Sequence, residues 1–416
     1  MVSRSRTSSI ARRREAAGDV RSSTTACFLP YARQSIDEDD IAAVAAVLRS
    51  EFLTTGPLVE KFESAFMQVT GGRQAVACNS GTAALHLATL ALDLKAGESA
   101  IVPALTFLAT ANAVRMTGAE VIFADVDSET GLITPQTFAA AIAVAKDKGL
   151  KPRAALPVHL NGQVCDLPGL AKIAEEHEIV LVEDACHALG EKDIGSAKYS
   201  AAACFSTHAV KAIATGEGGV VTTRDAVMAE RMRRLRTHGM IRTPADFLHR
   251  DLAFDDSESN PWYYEMHEVG WNYRIPDILC ALGLAQLRKL DRFFARRREI
   301  AALYDRLLVP LFPTIRPVPH GFAPHGWHLY AILIDFSALG TTRARFMNAL
   351  RKEGIGSQVH YMPLHLQPYY RERYGEFSLP GAEAYYARCL SIPFFPALRD
   401  DDIERVVGSL IQLAHR

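Results

Sequence analysis

The chain has 416 residues, of which 49% are apolar and 22% are charged, the balance of a globular protein with a large buried core. Its 46 basic and 47 acidic residues leave a formal net charge of −1, so no global field attracts nucleic acid or an anionic membrane. The longest apolar runs are strand-sized and fall short of the ~18 residues that span a bilayer. We therefore expect a soluble protein of two or three structural units that binds neither nucleic acid nor a membrane.

Residues 1–25 differ from the rest of the chain, because arginines are spread there among serine, threonine and alanine. No apolar core follows them, which excludes a secretory signal. An organelle transit segment fits this composition, but we favour a disordered tail or an overextended start codon. The tail takes no part in the predicted fold.

Beyond the tail, short β-rich runs alternate with longer helical patterns. In chain order the predicted strands are Gln74–Cys78, Ser99–Pro103, Glu120–Asp125, Arg153–His159, Ile179–Glu183, Ala203–Ser206 and Gly219–Thr223. The helical patterns between them include Thr82–Leu92, Phe107–Thr117, Thr137–Lys148 and Leu167–Glu176. Apolar strands that alternate with helices predict a mainly parallel α/β sheet covered by helices on both faces. Ligands of such sheets bind beyond the carboxyl ends of the strands.

The pattern changes after Gly270. Two consecutive helices are predicted at Ile275–Leu290 and Arg292–Leu308, and then a strand at His328–Asp335, a helix at Thr341–Glu353, a strand at Gly356–Tyr361 and a helix at Asp401–Ala414. These elements predict a smaller C-terminal α/β domain. We divide the chain into a tail (1–25), a large domain (26–275), and linking helices with the small domain (276–416).

The turn Asn79-Ser80-Gly81-Thr82 follows the first predicted strand and opens a helix rich in alanine and leucine. Free backbone N–H groups and a hydroxyl at the positive end of a helix dipole suit a phosphate. The same residues also form an ordinary N-cap, and the turn alone does not decide between the two.

Asp184 comes just after the apolar strand Ile179–Glu183, in the sequence Val182-Glu183-Asp184-Ala185-Cys186-His187. A carboxylate at a buried strand end is costly unless it meets a cation. A protonated pyridine nitrogen is one such cation, and the pairing keeps the ring an electron sink. For an isolated aspartate, a backbone hydrogen bond or a metal ion is the alternative.

Lys211 follows the next strand and is flanked by small residues and by the glycine-rich run Thr215–Gly219. Partial desolvation there would lower the pKa of the amine and free it to form a Schiff base. A lone lysine is more often solvated, but only one strand separates Lys211 from Asp184, which brings both to one sheet edge. A fourth motif, Gly270–Asp277, precedes a helix and fits either a pocket or a capping turn.

Together these motifs resemble the DegT/DnrJ/EryC1/StrS family of sugar aminotransferases, from about Phe28 to the C-terminus. The matching stretches are NSGTAALHLA, VPALTFLATANAV, PVHLNGQVCDL, VEDACHALG, FSTHAVKAIATGEGG, GWNYRIPDILCALGLAQL and SIPFFPAL. The resemblance implies the fold-type-I architecture of aminotransferases that use pyridoxal 5'-phosphate (PLP). FLPYARQSIDEDDI, LTTGP, PWYYEMHEVGWNYR and GSQVHYMPLHLQPYY look most like the transaminases of pseudaminic acid biosynthesis, which act on a UDP-linked 4-keto-6-deoxy-N-acetylhexosamine.

The resemblance also implies roles at the matching positions. Lys211 would hold PLP as a Schiff base, Asp184 would pair with the pyridinium nitrogen, and His187 would lie near the phenolic oxygen. The phosphate and ring contacts would come from Ser80, Gly81, Thr82, Phe107 and Ser206, with Asn272 reaching across from the second subunit of a homodimer. The sugar nucleotide would contact Tyr31, Leu53, Thr54, Gln358, Val359, His360 and Tyr361. L-Glutamate would be the amino donor.

Some positions depart from the family's pattern. Thr207 and Ala209 stand within a segment that is more often FSFHPVK, and Ala201 stands where an acidic residue is common. The stretch Val158–Gly162 differs from the more usual HYAGQ form. These differences bear on the identity of the sugar and do not touch the Schiff-base chemistry.

This function has three alternatives. A sugar dehydratase of the same superfamily has histidine in place of the Schiff-base lysine, so Lys211 argues against it. A non-catalytic regulatory protein with this fold is the second alternative, and the intact lysine, aspartate and phosphate residues argue against that. A transaminase for another 3- or 4-keto nucleotide sugar, or for a keto-inositol, remains open. The seven cysteines show no CxxC pair and no His/Cys cluster, which predicts buried thiols in the cytoplasm and no metal site.

Overall fold

A computed structural model describes residues 28–191, 193–320 and 325–415. The predicted tail at 1–25 lies outside these residues. The main element is a seven-stranded sheet with strand order β1-β7-β6-β5-β4-β2-β3. Its strands are β1 (Gln74–Cys78), β2 (Ser99–Pro103), β3 (Glu120–Ala124), β4 (Pro152–Ala155), β5 (Val180–Asp184), β6 (Ala202–Ser206) and β7 (Gly219–Thr223).

The sheet is mainly parallel, as the alternation of strands and helices predicted. Strand β7 alone runs antiparallel to both of its neighbours, β1 and β6. The other pairs are parallel, so the carboxyl ends of β1, β6, β5, β4 and β2 lie at one edge. The turns that follow these strands therefore meet there.

Helices pack on both faces of this sheet. They are α1 (Glu38–Leu48), α2 (Leu58–Thr70), α3 (Gly81–Ala91), α4 (Leu108–Met116), α5 (Pro135–Asp147), α6 (Leu167–Glu176) and α7 (Ala226–Arg236). Strands β2, β6 and β7 are buried along their whole length, which explains their apolar sequences. The predicted strand Arg153–His159 is shorter than expected and ends at Ala155, because Pro157 has no N–H for the ladder.

A segment of short elements follows α7: β8 (Met240–Ile241), α8 (Arg250–Ala253), β9 (Phe254–Asp255), β10 (Glu258–Ser259) and β11 (Glu265–Met266). Strand β11 pairs with β8, and β10 pairs with β9. Several large apolar side chains of this segment are exposed, among them Leu248, Trp262, Met266 and Val269.

The C-terminal part contains a three-stranded antiparallel sheet of order β12-β13-β14. Its elements are α9 (Asp277–Leu287), α10 (Leu290–Leu308), β12 (Ile315–Pro317), β13 (Tyr330–Ile334), α11 (Arg343–Lys352), α12 (Pro368–Tyr374), α13 (Pro380–Arg388), β14 (Cys389–Ile392) and α14 (Asp400–Ala414). Helices α10, α11 and α14 pack around this sheet in a separate apolar cluster. The domain boundary at 275/276 stays a prediction.

The predicted strand Gly356–Tyr361 is wrong. Only Gln358 pairs with the sheet, through two backbone hydrogen bonds with Ser391 at 3.0 and 2.8 Å. The Gly356 amide bonds to Leu29 instead, so one pair of hydrogen bonds is all that the segment exchanges with β14. Within the described part of the chain no helix is long and apolar enough to cross a membrane.

Candidate active site at the carboxyl edge of the large sheet

Asp184 ends β5 and its carboxylate is buried. The Thr110 hydroxyl donates to Oδ2 at 2.7 Å, and the Cys186 amide donates to Oδ1 at 3.1 Å. Among the residues that the structure describes, Asp184 forms no ion pair. A buried carboxylate with two neutral donors and no cation is suited to a cationic partner supplied by a ligand.

The neighbouring carboxylate, Glu183, points to the opposite face of the sheet because side chains alternate along a strand. It accepts a hydrogen bond from Ser200 at 2.5 Å and lies 3.1 Å from Nε2 of His159. Both members of this pair are buried. Of the two adjacent acidic residues, only Asp184 therefore faces the site.

Lys211 lies in the loop between β6 and β7. The buried hydroxyls of Thr207 and Thr215 are 2.6 Å apart and close the base of this loop. The Lys211 amide donates to the His208 carbonyl at 2.8 Å. Desolvation by burial lowers the pKa of the Lys211 amine, and the nearby Cys186 and Asp184 partly oppose this shift. The residue thus meets the condition for a nucleophilic lysine.

His187, Tyr361 and His360 form an aromatic cluster beside Lys211. The Nε2 atom of His187 lies 3.2 Å from the Tyr361 hydroxyl, and the Asn161 amide donates to Nδ1 at 3.3 Å. Burial lowers the pKa of His187 well below its ordinary value, and the charge of Lys211 adds to the effect. The same two causes lower the pKa of His360 to about 3. Both imidazoles are therefore neutral near physiological pH.

The turn at residues 79–82 combines both alternatives that its sequence left open. The Ser80 hydroxyl accepts from the Ala83 amide at 3.1 Å, which is an N-cap. The Gly81 and Thr82 amides, in the first turn of α3, have no acceptor among the described residues, so they are available to an anion. A Cβ atom at Gly81 would lie 2.8 Å from Cβ of Ser206, so only glycine lets the turn approach β6 this closely.

The remaining candidates divide into two groups. Phe107 contacts Tyr361 (ring centroids 5.8 Å apart), and Tyr31 contacts His360 (5.4 Å). Val359 is half-buried next to them, whereas Leu53, Thr54, Gln358 and Asn272 are exposed. The carbonyl of Asn272 accepts from the Asn79 side chain at 3.3 Å, at the entrance of the phosphate turn.

Three residues that sequence reasoning did not single out take part in the site. Thr110 holds Asp184, and Asn161 holds His187. Asp277 accepts from the amides of Gly56 and Leu58 at 2.8 and 3.0 Å, which fixes the loop that carries Leu53 and Thr54. All three residues lie in stretches that already carried the family resemblance, so a weak signal was present for each of them.

The residues present fit PLP. The Gly81 and Thr82 amides without an acceptor lie beside Ser206 and can meet a phosphate. A buried carboxylate without an ion pair can meet a pyridinium nitrogen, and the desolvated amine of Lys211 can meet an aldehyde. No group of three or more His, Cys, Asp or Glu side chains in the described residues could hold a metal ion.

This fold and this site define a PLP-dependent aminotransferase. The model of the DegT/DnrJ/EryC1/StrS aminotransferase family matches residues 34–411, and the chain belongs to that family. It is accordingly a PLP-dependent sugar aminotransferase with an alpha/beta fold, as its motifs predicted.

Relatives cover nearly the whole chain. The spore coat polysaccharide biosynthesis protein SpsC of Bacillus subtilis is 38% identical over 391 residues, which are 92% of this chain and 96% of SpsC. The structure of PseC from Helicobacter pylori, an aminotransferase involved in the biosynthesis of pseudoaminic acid, gives a TM-score of 0.84 at 28% identity and covers 93% of this chain and 99% of PseC. A putative sugar aminotransferase from Streptococcus pneumoniae in its PLP form gives a TM-score of 0.81 at 26% identity, over 93% of this chain and 99% of that one.

Proposed function

We propose that this enzyme moves an amino group from L-glutamate to C4 of a UDP-linked 4-keto-6-deoxy-N-acetylhexosamine, as a step in nonulosonic (pseudaminic) acid biosynthesis. The observation that carries the proposal is the likeness to PseC over almost the full length of both chains. The segments PWYYEMHEVGWNYR and GSQVHYMPLHLQPYY support the same substrate. The free thiols among the described cysteines support a cytoplasmic enzyme.

When bound, PLP supplies an electron sink for the carbon that gains or loses nitrogen. The Nζ amine of Lys211 removes the proton from Cα of the amino donor and delivers a proton to C4 of the keto sugar. Its lowered pKa leaves more of the amine unprotonated, and only the unprotonated amine can remove a proton. The carboxylate of Asp184 holds the proton on the pyridine nitrogen, and Thr110 keeps that carboxylate in place.

The other side chains bind and orient. We assign the phosphate to Ser80, Gly81, Thr82 and Ser206, the ring face to Phe107 and the phenolic oxygen to His187. We assign the sugar nucleotide to Tyr31, Leu53, Thr54 and the run Gln358-Val359-His360-Tyr361.

We further propose a homodimer in which Asn272 of one protomer completes the phosphate site of the other. The side chain of Asn272 is exposed, and two of the apolar side chains exposed nearby in sequence, Trp262 and Val269, are 73% and 69% accessible. Apolar exposure of that size is typical of a surface that a second subunit covers. Light scattering that shows an active monomer would contradict this assembly.

A second acceptor is favoured by one observation. SpsC, whose name refers to spore coat polysaccharide biosynthesis, is 38% identical to this chain, so another 3- or 4-keto nucleotide sugar is the competing substrate. A keto-inositol is the remaining acceptor of this kind.

One experiment tests the proposal. The purified enzyme is incubated with PLP, L-glutamate and each of a panel of keto sugars linked to UDP or TDP, and product NMR fixes the position and stereochemistry of the new amine. We expect kcat/KM to be highest for the UDP-linked 4-keto-6-deoxy-N-acetylhexosamine. A higher value for another keto sugar replaces the substrate, and amination of none of them while PLP binds rejects the proposed function.

A further inference from the structure

The loop of residues 207–218 carries Lys211, and backbone hydrogen bonds join its two sides. The Thr207 amide donates to the Gly218 carbonyl at 2.9 Å, and the Thr215 amide donates to the Thr207 carbonyl at 2.8 Å. These two bonds continue the antiparallel pairing of β6 with β7 into the base of the loop. The position of Lys211 therefore depends on how firmly this base is closed.

The side chains of Thr207 and Thr215 add a hydroxyl pair to the closure. Both are fully buried, and their Oγ1 atoms are 2.6 Å apart. The Thr215 oxygen also lies 2.8 Å from the Glu217 carbonyl and 3.1 Å from the Thr207 carbonyl. Because carbonyl oxygens only accept, the single proton of Thr215 goes to them, and Thr207 donates to Thr215. A Cβ atom at Gly218 would lie 2.6 Å from Oγ1 of Thr215, so the pair packs directly against the Gly218 backbone.

Residues 208–211 form a β-turn, because the Lys211 amide donates to the His208 carbonyl at 2.8 Å. Ala209 occupies the second position of this turn, where proline is favoured since its ring fixes φ at about −65°. Alanine leaves that angle free but keeps an N–H, which donates to the Gly216 carbonyl at 3.1 Å. A hydrogen bond across the loop thus holds the turn that a proline ring would otherwise restrict.

Thr207 and Ala209 are the two positions at which this segment departs from the more usual FSFHPVK. We propose that their hydrogen bonds, from Thr207 to Thr215 and from Ala209 to Gly216, form a clasp that holds the Lys211 turn, and that Thr207 is a positioning residue for the Lys211 amine. Neither bond involves the Lys211 side chain, so the clasp stays closed whether the amine is free or bound to PLP. The work of the amine rests on the proposed function, whereas the closing of the loop does not.

The first test measures the closing of the loop directly. Amide hydrogen exchange of the full-length apoenzyme is followed by mass spectrometry in peptides that cover residues 207–218. Thr207→Val removes the hydroxyl but keeps a branched side chain, and we expect exchange in the loop to become about fivefold faster, the size expected for one lost hydrogen bond. Thr207→Ser keeps the hydroxyl and should exchange like the wild-type enzyme. Unchanged exchange in Thr207→Val would overturn the proposal.

Two further variants separate the clasp from a general loss of stability. Thr222, on β7, is also fully buried, but its hydroxyl has no partner among the described residues. Thr222→Val should therefore leave exchange in the loop unchanged. Thr215→Val removes the hydroxyl contact from the other side, should speed exchange at least as much as Thr207→Val, and becomes the decisive variant should Thr207→Val not fold. Equal acceleration by Thr222→Val would reject the clasp.

The part played by Ala209 is tested by changing the freedom of the turn. Ala209→Pro loses the bond to Gly216 but restricts the second position of the turn, so its exchange should stay within about twofold of the wild-type enzyme. Ala209→Gly keeps the N–H and gives the turn more freedom, so it should exchange several-fold faster. Faster exchange in Ala209→Pro than in Ala209→Gly would show that a proline ring cannot take the place of this bond.

The last test asks whether the clasp positions the Lys211 amine. Because Lys211 acts in both half-reactions and small misplacements slow catalysis, Thr207→Val should slow single turnover with glutamate and with the keto sugar by the same several-fold factor. The Kd for glutamate should not change, and Thr207→Ser should restore both rates. Slowing of one half-reaction alone, or a changed Kd with unchanged rates, would reject the positioning role. Faster loop exchange in Thr207→Val, together with a wild-type enzyme that aminates no keto sugar, would refute the proposed function and leave the clasp standing.

Discussion

The Thr110 hydroxyl donates a hydrogen bond to Oδ2 of Asp184 at 2.7 Å, and the Thr106 hydroxyl lies 2.7 Å from Thr110 in turn. Since the Thr110 proton is committed to the carboxylate, Thr106 must be the donor of the second bond. The two threonines form a short chain that ends on the carboxylate proposed to hold the pyridinium nitrogen. Both hydroxyls are buried, so water does not replace either bond.

Replacing Thr110 by valine should weaken PLP binding. A hydrogen bond to a charged group contributes about 1.5–3 kcal/mol, which corresponds to a Kd for PLP raised by about tenfold or more. Titration of the apoenzyme with PLP measures this change. Thr106→Val is the matched control, because it leaves the bond to Asp184 intact and should have a smaller effect. Equal Kd values for Thr110→Val and the wild-type enzyme would show that Asp184 does not depend on Thr110.

Replacing Lys211 by alanine should abolish turnover and the visible absorption of bound PLP, since no other lysine is assigned to the site. Lys211→Arg keeps the positive charge but cannot form a Schiff base, so it should be equally inactive. Absorption spectra and single-turnover assays measure both. The central assignment fails if Lys211→Ala keeps turnover together with the absorption band.

Replacing Gly81 by alanine should widen the phosphate turn. The new Cβ atom would lie 2.8 Å from Cβ of Ser206 and 3.4 Å from Sγ of Cys186, so the turn must move away from β6. We expect the Kd for PLP to rise by about tenfold, a loss of about 1.4 kcal/mol. Ser206→Gly removes the opposing atoms. In a double-mutant cycle, the double variant should therefore lose less PLP-binding free energy than the sum of the losses in the two single variants. Strict additivity would exclude this steric contact as the cause.

Replacing Asp277 by alanine should affect the sugar half-reaction alone. The variant leaves the amides of Gly56 and Leu58 without their acceptor and releases the loop that carries Leu53 and Thr54. We expect KM for the keto sugar to rise several-fold, while the half-reaction with glutamate keeps its rate. Asp277→Asn retains one acceptor oxygen and should lie between the two. A change in the glutamate half-reaction of the same size would place Asp277 in a general structural role.

Stability should fall in mild acid because of His86. This buried side chain contacts the Tyr273 hydroxyl at 3.1 Å, and desolvation lowers its pKa to about 4. The unfolded state takes up a proton below its ordinary pKa of about 6.5, whereas the folded state does not until about 4, so stability is lost as the pH falls through this window. At about pH 5 the loss is about 2 kcal/mol. Urea unfolding of the wild-type protein and of His86→Gln, each near neutral pH and at about pH 5, should show this loss in the wild-type protein only.

The local pattern of the sequence was enough to predict the sheet and to select Asp184 and Lys211 as candidate site residues. Strands β1, β2 and β7 and helix α6 have the predicted bounds, because buried strands and amphipathic helices leave their signal in consecutive residues. The proximity of Asp184 and Lys211 follows from the same pattern, since adjacent parallel strands bring their carboxyl ends to one edge. The prediction of a strand at Gly356–Tyr361 was wrong, because this segment packs its side chains into the site and exchanges only one pair of backbone hydrogen bonds with the sheet.

The sequence by itself thus determined the fold, the family and the pairing of a lysine with an aspartate at one sheet edge. Only the tertiary structure decided how those groups are held. Thr110 is 74 residues from Asp184, Asn161 is 26 from His187, and Asp277 is 221 from Gly56. Each of these bonds depends on where distant backbone segments meet and on which atom of a side chain faces the other, and no local pattern of apolar and polar residues contains that information.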